Sequence, residues 1–122
     1  MEGSRTVRAL DSQGIERQWH LLDSWAHRTG TPTLTLLCVH GNPTWSYLWR
    51  NLVAQAPTHI RVIAVDQLEM GYSERTGVDR RLADRVIDLG NLTKTLELTG
   101  PIVTVAHDWG GPVSLGLSLI HI

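Results

Sequence analysis

The sequence predicts an α/β fold in which a leading β-hairpin is followed by strands and helices that alternate along a mostly parallel sheet. Three observations support this prediction. Apolar runs of strand length occur at residues 34–39, 60–65 and 102–106. Stretches with helical periodicity follow these runs, and two strand-like segments with a turn between them precede all of them. Such alternation favours right-handed crossovers, with helices on both faces of the sheet.

The first three elements are predicted to be strands. Residues 6–10 and 17–25 have strand character, and the turn-rich segment between them, Asp-Ser-Gln-Gly at 11–14, predicts a hairpin. The chain breaks again at 29–32, Thr-Gly-Thr-Pro. The run at 34–39 that follows is almost wholly apolar, as expected of a strand that is buried on both faces.

Two helices are predicted between the later strands. Thr44 is a candidate N-cap for a helix over residues 45–56, and Asp79 is a candidate N-cap for a second helix that Gly100 and Pro101 stop. The apolar face of the second helix comprises Leu82, Val86, Leu89, Leu92 and Leu96. The arginines expected on solvated helix faces, rather than in a substrate clamp, are Arg50, Arg80, Arg81 and Arg85.

Composition limits the classes of function. The chain has 122 residues and no internal boundary, so residues 1–122 are predicted to belong to a single domain. The formal net charge of −1 gives no basic field that would attract nucleic acid or an anionic membrane. Cys38 is the only cysteine and lies in an apolar run, where a buried inert thiol is expected. We therefore expect a cytoplasmic protein without an intramolecular disulfide, signal peptide or membrane-spanning segment.

The residues that carry chemistry follow the apolar run at 102–106. There the sequence becomes His-Asp-Trp-Gly-Gly at 107–111, and a helix is expected from about Gly111. Small residues on both sides of one central residue, between a strand and a helix, are typical of a nucleophile elbow. Asp108 holds the nucleophile position; a carboxylate attacks without a base and forms an ester that water must later hydrolyse. This pattern indicates carbon–halogen, epoxide or lactone chemistry rather than ordinary serine hydrolysis.

The residues around Asp108 suit a developing negative charge. The backbone amides of Asn42 and Trp109 are candidate oxyanion donors. Their side chains can also donate to a departing anion without carrying charge, so both are candidate halide ligands. The structural alternatives are that Asp108 only caps a helix, Asn42 only forms a turn and Trp109 only fills core volume. The combination of all three favours the catalytic interpretation.

Three loops fall at the carboxyl ends of predicted parallel strands, where reactive groups gather in such sheets. These loops are residues 40–44, 66–73 and 107–111. In the second loop, Asp66 is expected to hold backbone and Gly71 to permit a left-handed turn, and neither is assigned chemistry. The residues expected to support the site structurally are His40, Gly41, Pro43, His107, Gly110 and Gly111.

None of the histidines is suited to act as the base for Asp108. The side chain of His107 is expected to point away from the apex, because it directly precedes the nucleophile. His40 opens a tight turn and is expected to bond neighbouring backbone. In elbow enzymes the base follows the nucleophile along the chain. His121 does follow Asp108, but it comes at the end of the helix that the elbow starts and cannot fold back.

Together, residues 40–50, His-Gly-Asn-Pro-Thr-Trp-Ser-Tyr-Leu-Trp-Arg, and residues 107–111 resemble the haloalkane dehalogenase branch of the α/β-hydrolase superfamily. The similarity runs from about residue 7 to residue 117. Asn42 before Pro43 is typical of dehalogenases, whereas epoxide hydrolases share His-Asp-Trp-Gly-Gly but usually carry an aromatic residue at the position of Asn42. The same motifs are also similar to those of the β-lactone decarboxylases of bacterial olefin biosynthesis.

The resemblance implies a role for each residue at the elbow. Asp108 attacks the halogen-bearing carbon and forms an alkyl-enzyme ester, while Asn42 and Trp109 hold the halide. A later histidine, paired with a later acid, activates water, and neither a metal nor an organic cofactor takes part. In a β-lactone decarboxylase the aspartate attacks the lactone ring, and the products are an alkene and carbon dioxide. The expected partner is thus a small apolar substrate: a haloalkane, an epoxide or a β-lactone.

Complete members of that family carry further strands and helices, a helical cap, the catalytic acid and the base. The chain resembles the N-terminal part of such an enzyme, so the 122 residues alone are expected not to turn over. The competing hypothesis from another class is a non-catalytic binding module that keeps the pocket loops without the triad. The intact set of Asp108, Asn42 and Trp109 favours the enzyme.

Overall fold

The order of elements along the chain agrees with the predicted order. The structure, a computed structural model, describes residues 3–98 and 100–120, with backbone alone at residue 120. The strands are β1 (Ser4–Leu10), β2 (Glu16–Asp23), β3 (Leu34–Val39), β4 (Ile60–Val65) and β5 (Ile102–Ala106). The helices are a 3-10 helix (Ser46–Trp49), α1 (Arg50–Ala54), α2 (Leu82–Thr95) and α3 (Gly110–Ile120). His121, expected at the end of the last helix, lies outside the described residues.

The five strands form one mixed sheet in the order β1-β2-β4-β3-β5. β1 pairs with β2, and β2 pairs with β4, in antiparallel orientation. β3 lies between β4 and β5 and is parallel to both. The carboxyl ends of β3, β4 and β5 therefore lie side by side at the same end of the strands, which brings the three predicted loops together.

Helices cover both faces of the sheet, as predicted. On one face, α2 and α3 enclose a core of buried side chains from the sheet and from both helices, including Leu37, Leu92 and Val113. On the other face, α1 covers a smaller cluster that contains Leu22, Val53 and Val62. Cys38 belongs to this second cluster, and burial raises the pKa of its thiol to about 12, as suits the predicted inert cysteine.

Both predicted helix caps are wrong. Trp45 is still extended, and the 3-10 helix begins at Ser46, so the helix over 45–56 is shorter than predicted. Thr44 instead donates its hydroxyl proton to the carbonyl oxygen of Gly41 at 3.1 Å, which closes the loop. The Thr44 hydroxyl, which bonds a nearby carbonyl, is therefore not used as a cap. The second helix begins at Leu82, and its N-cap residue is Arg81 rather than Asp79. The carboxylate of Asp84 accepts the amide proton of Arg81 there.

The prediction for the helix arginines is correct for two residues and wrong for two. Arg50 and Arg81 are exposed. Arg80 is buried, and its guanidinium contacts Asp11, Glu69 and Asp88. Arg85 is half-buried and donates to the carbonyl oxygen of Leu68 at 2.9 Å. Three carboxylates, one of them 69 positions away along the chain, compensate the burial of Arg80.

The helices of the described residues are short: α2, the longest of them, has 14 residues, whereas a membrane span needs about 20. Within residues 3–98 and 100–120, none of them combines the length and the apolar character that a membrane span requires.

Candidate active site

A sharp turn after β5 places Asp108 at an exposed apex. Asp108 has φ of 57°, in the left-handed region, and α3 begins two residues later at Gly110. This conformation costs a residue with a side chain about 1–3 kcal/mol, and such outliers cluster at functional sites. Two backbone hydrogen bonds hold the turn: the amide of Gly110 donates to the carbonyl of His107, and that of Gly111 to Asp108, both at 2.9 Å.

Two glycines allow the turn to approach the end of β3. A Cβ atom at Gly110 would collide with the carbonyl oxygen of Val39, and one at Gly41 would collide with the side chain of Asp108. A Cβ atom at Gly111 would meet no atom within 4 Å, so this glycine contributes through its amide instead. Residues with side chains at the first two positions would push the two loops apart.

The Asp108 carboxylate is fully exposed and is held by backbone amides. The amides of Trp109 and Asn42 bond it and lower its pKa below the usual value. The bond from Asn42 reaches Oδ2 at 3.3 Å. The two amides restrict the orientation of the group. The carboxylate is therefore ionised at neutral pH and oriented for attack.

The two amides predicted as oxyanion donors bond Asp108 itself. This arrangement suits a carboxylate nucleophile better than a hydroxyl nucleophile. When water attacks an ester of Asp108, the tetrahedral carbon is the carboxyl carbon of Asp108, so one of its own oxygens becomes the oxyanion. Amides that already bond this carboxylate need little reorganisation to stabilise that charge.

The side chains of Asn42 and Trp109 line the same cavity. Its volume is about 330 Å³, and its walls also include Gly41, Met70 and Val113. Trp109 is 60% exposed, so it does not fill core volume, which was the structural alternative. The Asp108 carboxylate lies outside the lining of this cavity, at the apex beside it. The structure thus brings both candidate halide ligands to one concave surface.

His40 orients the loop that carries Asn42. It is completely buried, and its Nδ1 donates to the carbonyl oxygen of Gly41 at 2.7 Å. Its Nε2 accepts the amide proton of Gln67 at 2.9 Å. Burial lowers the pKa of His40, in agreement with a neutral ring. Both ring nitrogens are occupied, so His40 supports the loop and is not available as a base.

Gln67 is a site residue that the sequence reasoning missed. Besides its amide bond to His40, its side chain donates to the carbonyl oxygen of His40 at 2.8 Å. Gln67 therefore bonds both the imidazole ring and the backbone carbonyl of His40, at the start of the loop that carries Asn42. The only sequence signal was its place directly after a strand, beside the polar Asp66.

His107 contributes to the turn through its backbone. Its amide donates to the carbonyl oxygen of Val39 at 3.2 Å, which joins the elbow to the end of β3. Its side chain is exposed, and its charge, when present, further lowers the pKa of Asp108. Pro43 follows a cis peptide bond with Asn42 and is exposed beside the same loop.

The loop after β4 forms another wall of the site. Asp66 accepts the amides of Ser46 at 2.6 Å and Tyr72 at 2.9 Å, and Gly71 has φ of 54°, as predicted. Glu69 also has a positive φ, 74°, and its carboxylate accepts the amides of Thr76 and Gly77. These bonds fix the segment that presents Met70 to the cavity.

In the part of the chain that the structure describes, three or more His, Cys, Asp or Glu residues nowhere come together as a metal site.

Known proteins resemble this chain in sequence and in fold. A cis-3-alkyl-4-alkyloxetan-2-one decarboxylase from Xanthomonas campestris pv. campestris is 39% identical over 94 residues, which cover 70% of this chain and 31% of that protein. A haloalkane dehalogenase from Sphingobium indicum is 41% identical over 97 residues, covering 76% and 32%. The chain therefore spans about a third of the length of these curated relatives.

The fold and the family are shown by two further comparisons. The crystal structure of a haloalkane dehalogenase from Agrobacterium tumefaciens C58 matches with a TM-score of 0.76 and 24% identity, covering 98% of this chain and 38% of that one. The family profile described as alpha/beta hydrolase fold matches residues 35–121. Because this profile covers well over half of the chain, the chain belongs to the α/β-hydrolase family.

Proposed function

We propose that this chain supplies the nucleophile and the leaving-group site of a hydrolase that forms an alkyl-enzyme ester on Asp108. One oxygen of the carboxylate attacks an electrophilic carbon, and the bond from that carbon to the leaving group breaks. With a haloalkane, the halide departs toward the side chains of Asn42 and Trp109. The names of the relatives favour a small haloalkane as the substrate, and the cavity beside the elbow, whose walls also include Arg80 and Arg85, is open to receive it.

One observation carries this proposal: an ionised carboxylate stands at a left-handed apex, held by two amides. A carboxylate that only capped a helix would need neither the strained apex nor the glycines that make room for it. The names of the haloalkane dehalogenase relatives agree with this chemistry.

A β-lactone substrate is the second candidate. The relative from Xanthomonas campestris bears the name of a decarboxylase of oxetan-2-ones, which are β-lactones. The carboxylate of Asp108 would then attack the saturated ring carbon bonded to the ring oxygen, and that C–O bond would break to leave a carboxylate on the substrate. Loss of this carboxylate as carbon dioxide, with departure of Asp108 from the neighbouring carbon, would form the alkene and restore Asp108. An epoxide hydrolase is a third possibility of the same class, but Asn42 is atypical of that branch.

We further propose that the 122-residue chain reacts once with a haloalkane and does not turn over. Within residues 3–98 and 100–120, the groups that hydrogen-bond the Asp108 carboxylate are amides, which cannot deprotonate water. Both nitrogens of His40 are occupied, and His107 directly precedes the nucleophile. Without a base, an ester formed on Asp108 accumulates.

Alkylation followed by mass spectrometry tests the proposal. The chain is incubated with 1-bromobutane or with a cis-3,4-dialkyloxetan-2-one, and the modified peptide is mapped. We expect one adduct per chain on Asp108 with at least one reagent, and none with Asp108→Asn. The reagent that reacts faster separates the two candidate substrates. Sustained halide release that Asp108→Asn retains would contradict the proposal, and halide binding without any adduct would favour a non-catalytic binding module.

A further inference from the structure

A second group of chemically competent side chains runs from Ser4, on the edge strand farthest from β5, to Asp66 in the loop after β4. Ser4 Oγ is 2.6 Å from Nε2 of His20. Nδ1 of the same ring is 2.8 Å from Oδ2 of Asp66. Ser4 begins the edge strand β1, and His20 lies in β2, next to it. A hydroxyl, an imidazole and a carboxylate are thus connected in series, which is the relation that activates a serine nucleophile.

The ring of His20 has one consistent orientation and tautomer. Oδ2 of Asp66 accepts the proton of Nδ1, so Nε2 is left to accept the hydroxyl proton of Ser4. Tyr72 packs edge-to-face against the ring, with centroids 5.4 Å apart at 80°. A base that is held by a buried carboxylate and by a neighbouring ring has little freedom to turn away from the hydroxyl.

The backbone of His20 is equally fixed. Its amide donates to Ser73 Oγ at 2.8 Å, and its carbonyl accepts the amide of Asp66 at 2.9 Å. Asp66 is completely buried, and His20 is 8% exposed. Ser4, in contrast, is exposed. The base and its orienting carboxylate are therefore shielded, and the nucleophile alone faces solvent.

We propose that Ser4, His20 and Asp66 form a second nucleophilic site, in which Ser4 accepts the acyl group of small activated carboxylic esters. Ser4 Oγ attacks the carbonyl carbon and forms a new C–O bond, while its proton passes to Nε2 of His20. The bond to the leaving alkoxide breaks, and the alkoxide takes that proton from Nε2. Water, deprotonated by His20, then releases the acid and restores the serine.

The nucleophile of this site is separate from Asp108, although Asp66 belongs to the loop that also forms a wall of the Asp108 site. Ser4 stands on the first strand of the sheet order, and Asp108 follows the last. The exposed position of Ser4 on an edge strand favours small, unhindered esters. The site reacts as a serine, whereas Asp108 reacts with alkylating carbon, so two kinds of reagent address the two sites separately.

A fluorophosphonate tests the proposal, since it modifies activated serines with loss of fluoride. The 122-residue chain is treated with the reagent, and the rates of modification of individual serines are measured by peptide mass spectrometry. Ser118, an exposed serine of α3, is the internal reference. General-base assistance contributes about 10²–10⁴-fold, so Ser4 is expected to react at least about 100-fold faster than Ser118. Equal rates at the two serines would overturn the proposal.

Three variants complete the test. His20→Gln is expected to reduce the rate at Ser4 to that at Ser118, and circular dichroism checks that it is folded. Ser4→Ala changes an exposed residue and is expected to abolish the stoichiometric burst with p-nitrophenyl acetate. Asp108→Asn is expected to leave both signals unchanged. A burst that survives Ser4→Ala would refute the proposal even if His20→Gln proved unstable.

Discussion

The two edges of the sheet hold their side chains in different ways. At the β1 and β2 edge, buried carboxylates are matched by arginines: Arg5 and Arg61 contact Asp23 at 2.9 and 2.7 Å, and Arg80 contacts Asp11 at 3.3 Å. At the β5 edge, apolar and reactive groups are open to solvent. Trp109 is 60% exposed there, and Leu115 in α3 is 69% exposed.

This difference separates the carboxylates that are paired with arginines from the carboxylate that we propose as the nucleophile. Charges that hold the hairpin to α2 and to the loop after β4 are buried and reciprocally bonded. The carboxylate that we propose as the nucleophile is exposed and bonded by amides alone. A carboxylate that already had an arginine partner would be a poor nucleophile, because its charge would be compensated. The positions of the arginines therefore indicate which carboxylates stabilise the fold.

The largest expected effect is at Arg80. The variant Arg80→Ala leaves Asp88 buried without its guanidinium contact and Asp11 with that of Arg17 alone, which costs about 3–5 kcal/mol of unfolding free energy. Urea unfolding followed by circular dichroism measures the loss. Arg81→Ala, at the exposed neighbouring residue, is the control and is expected to stay within about 0.5 kcal/mol of the parent. Equal losses in the two variants would show that the buried cluster does not stabilise the hairpin.

Loss of the Gln67 side chain is expected to have an intermediate effect. The variant Gln67→Leu leaves the buried carbonyl of His40 without its donor, at a cost of about 1–3 kcal/mol. It also frees the loop that positions the Asn42 amide, so the alkylation of Asp108 is expected to slow. Gln55→Leu, at an exposed position, is the control. An unchanged stability and alkylation rate would mean that Gln67 does not support the site.

The dependence of stability on acid pH tests the carboxylate of Asp11, at the β1 and β2 edge. Burial by itself would raise the pKa of Asp11, but hydrogen bonds from the Ile15 and Gln13 amides, Arg17 and Arg80 outweigh it and lower the pKa to about 2. A carboxyl whose folded pKa lies below its ordinary 3.8 stabilises the fold above that pH and loses this contribution as the pH falls toward about 2. Urea unfolding as a function of pH should therefore show a steeper acid loss in the parent than in Asp11→Asn. Parallel curves would contradict this prediction.

The smallest effect is expected on the open face of α3. The side chain of Leu115 is mostly exposed, so Leu115→Ser should change the unfolding free energy by no more than about 0.5 kcal/mol. Leu37→Ala, at a fully buried position of β3, is the matched contrast and should cost about 2–5 kcal/mol. A large loss at Leu115 would show that this face is buried in solution.

Local patterns predicted the strands and the elbow well. The apolar runs coincide with β3, β4 and β5, because a strand buried on both faces needs little beyond a continuous apolar stretch. The left-handed apex at Asp108 followed from small residues on either side of it. Each of these features is encoded within a few neighbouring residues.

Long-range polar contacts were the part that the sequence could not predict. Arg80 is paired with Asp11, 69 positions away, and Gln67 with His40, 27 positions away. The first helix cap was wrong because of a local contact: Thr44 bonds Gly41 rather than a helix amide. Ser4, His20 and Asp66 come from β1, β2 and the loop after β4, so no local motif marks their connection. Such pairs arise from the packing of the whole sheet.

Alkylation of Asp108 by 1-bromobutane, mapped by peptide mass spectrometry, tests the central claim most directly. The pH at which the rate is half its neutral value should lie below the ordinary carboxyl pKa of 3.8, because the Trp109 and Asn42 amides lower the pKa of Asp108. We predict a single adduct on Asp108, absent in Asp108→Asn. Adducts spread over exposed carboxylates such as Glu16, at rates equal to that at Asp108, would contradict the assignment of Asp108 as an activated nucleophile.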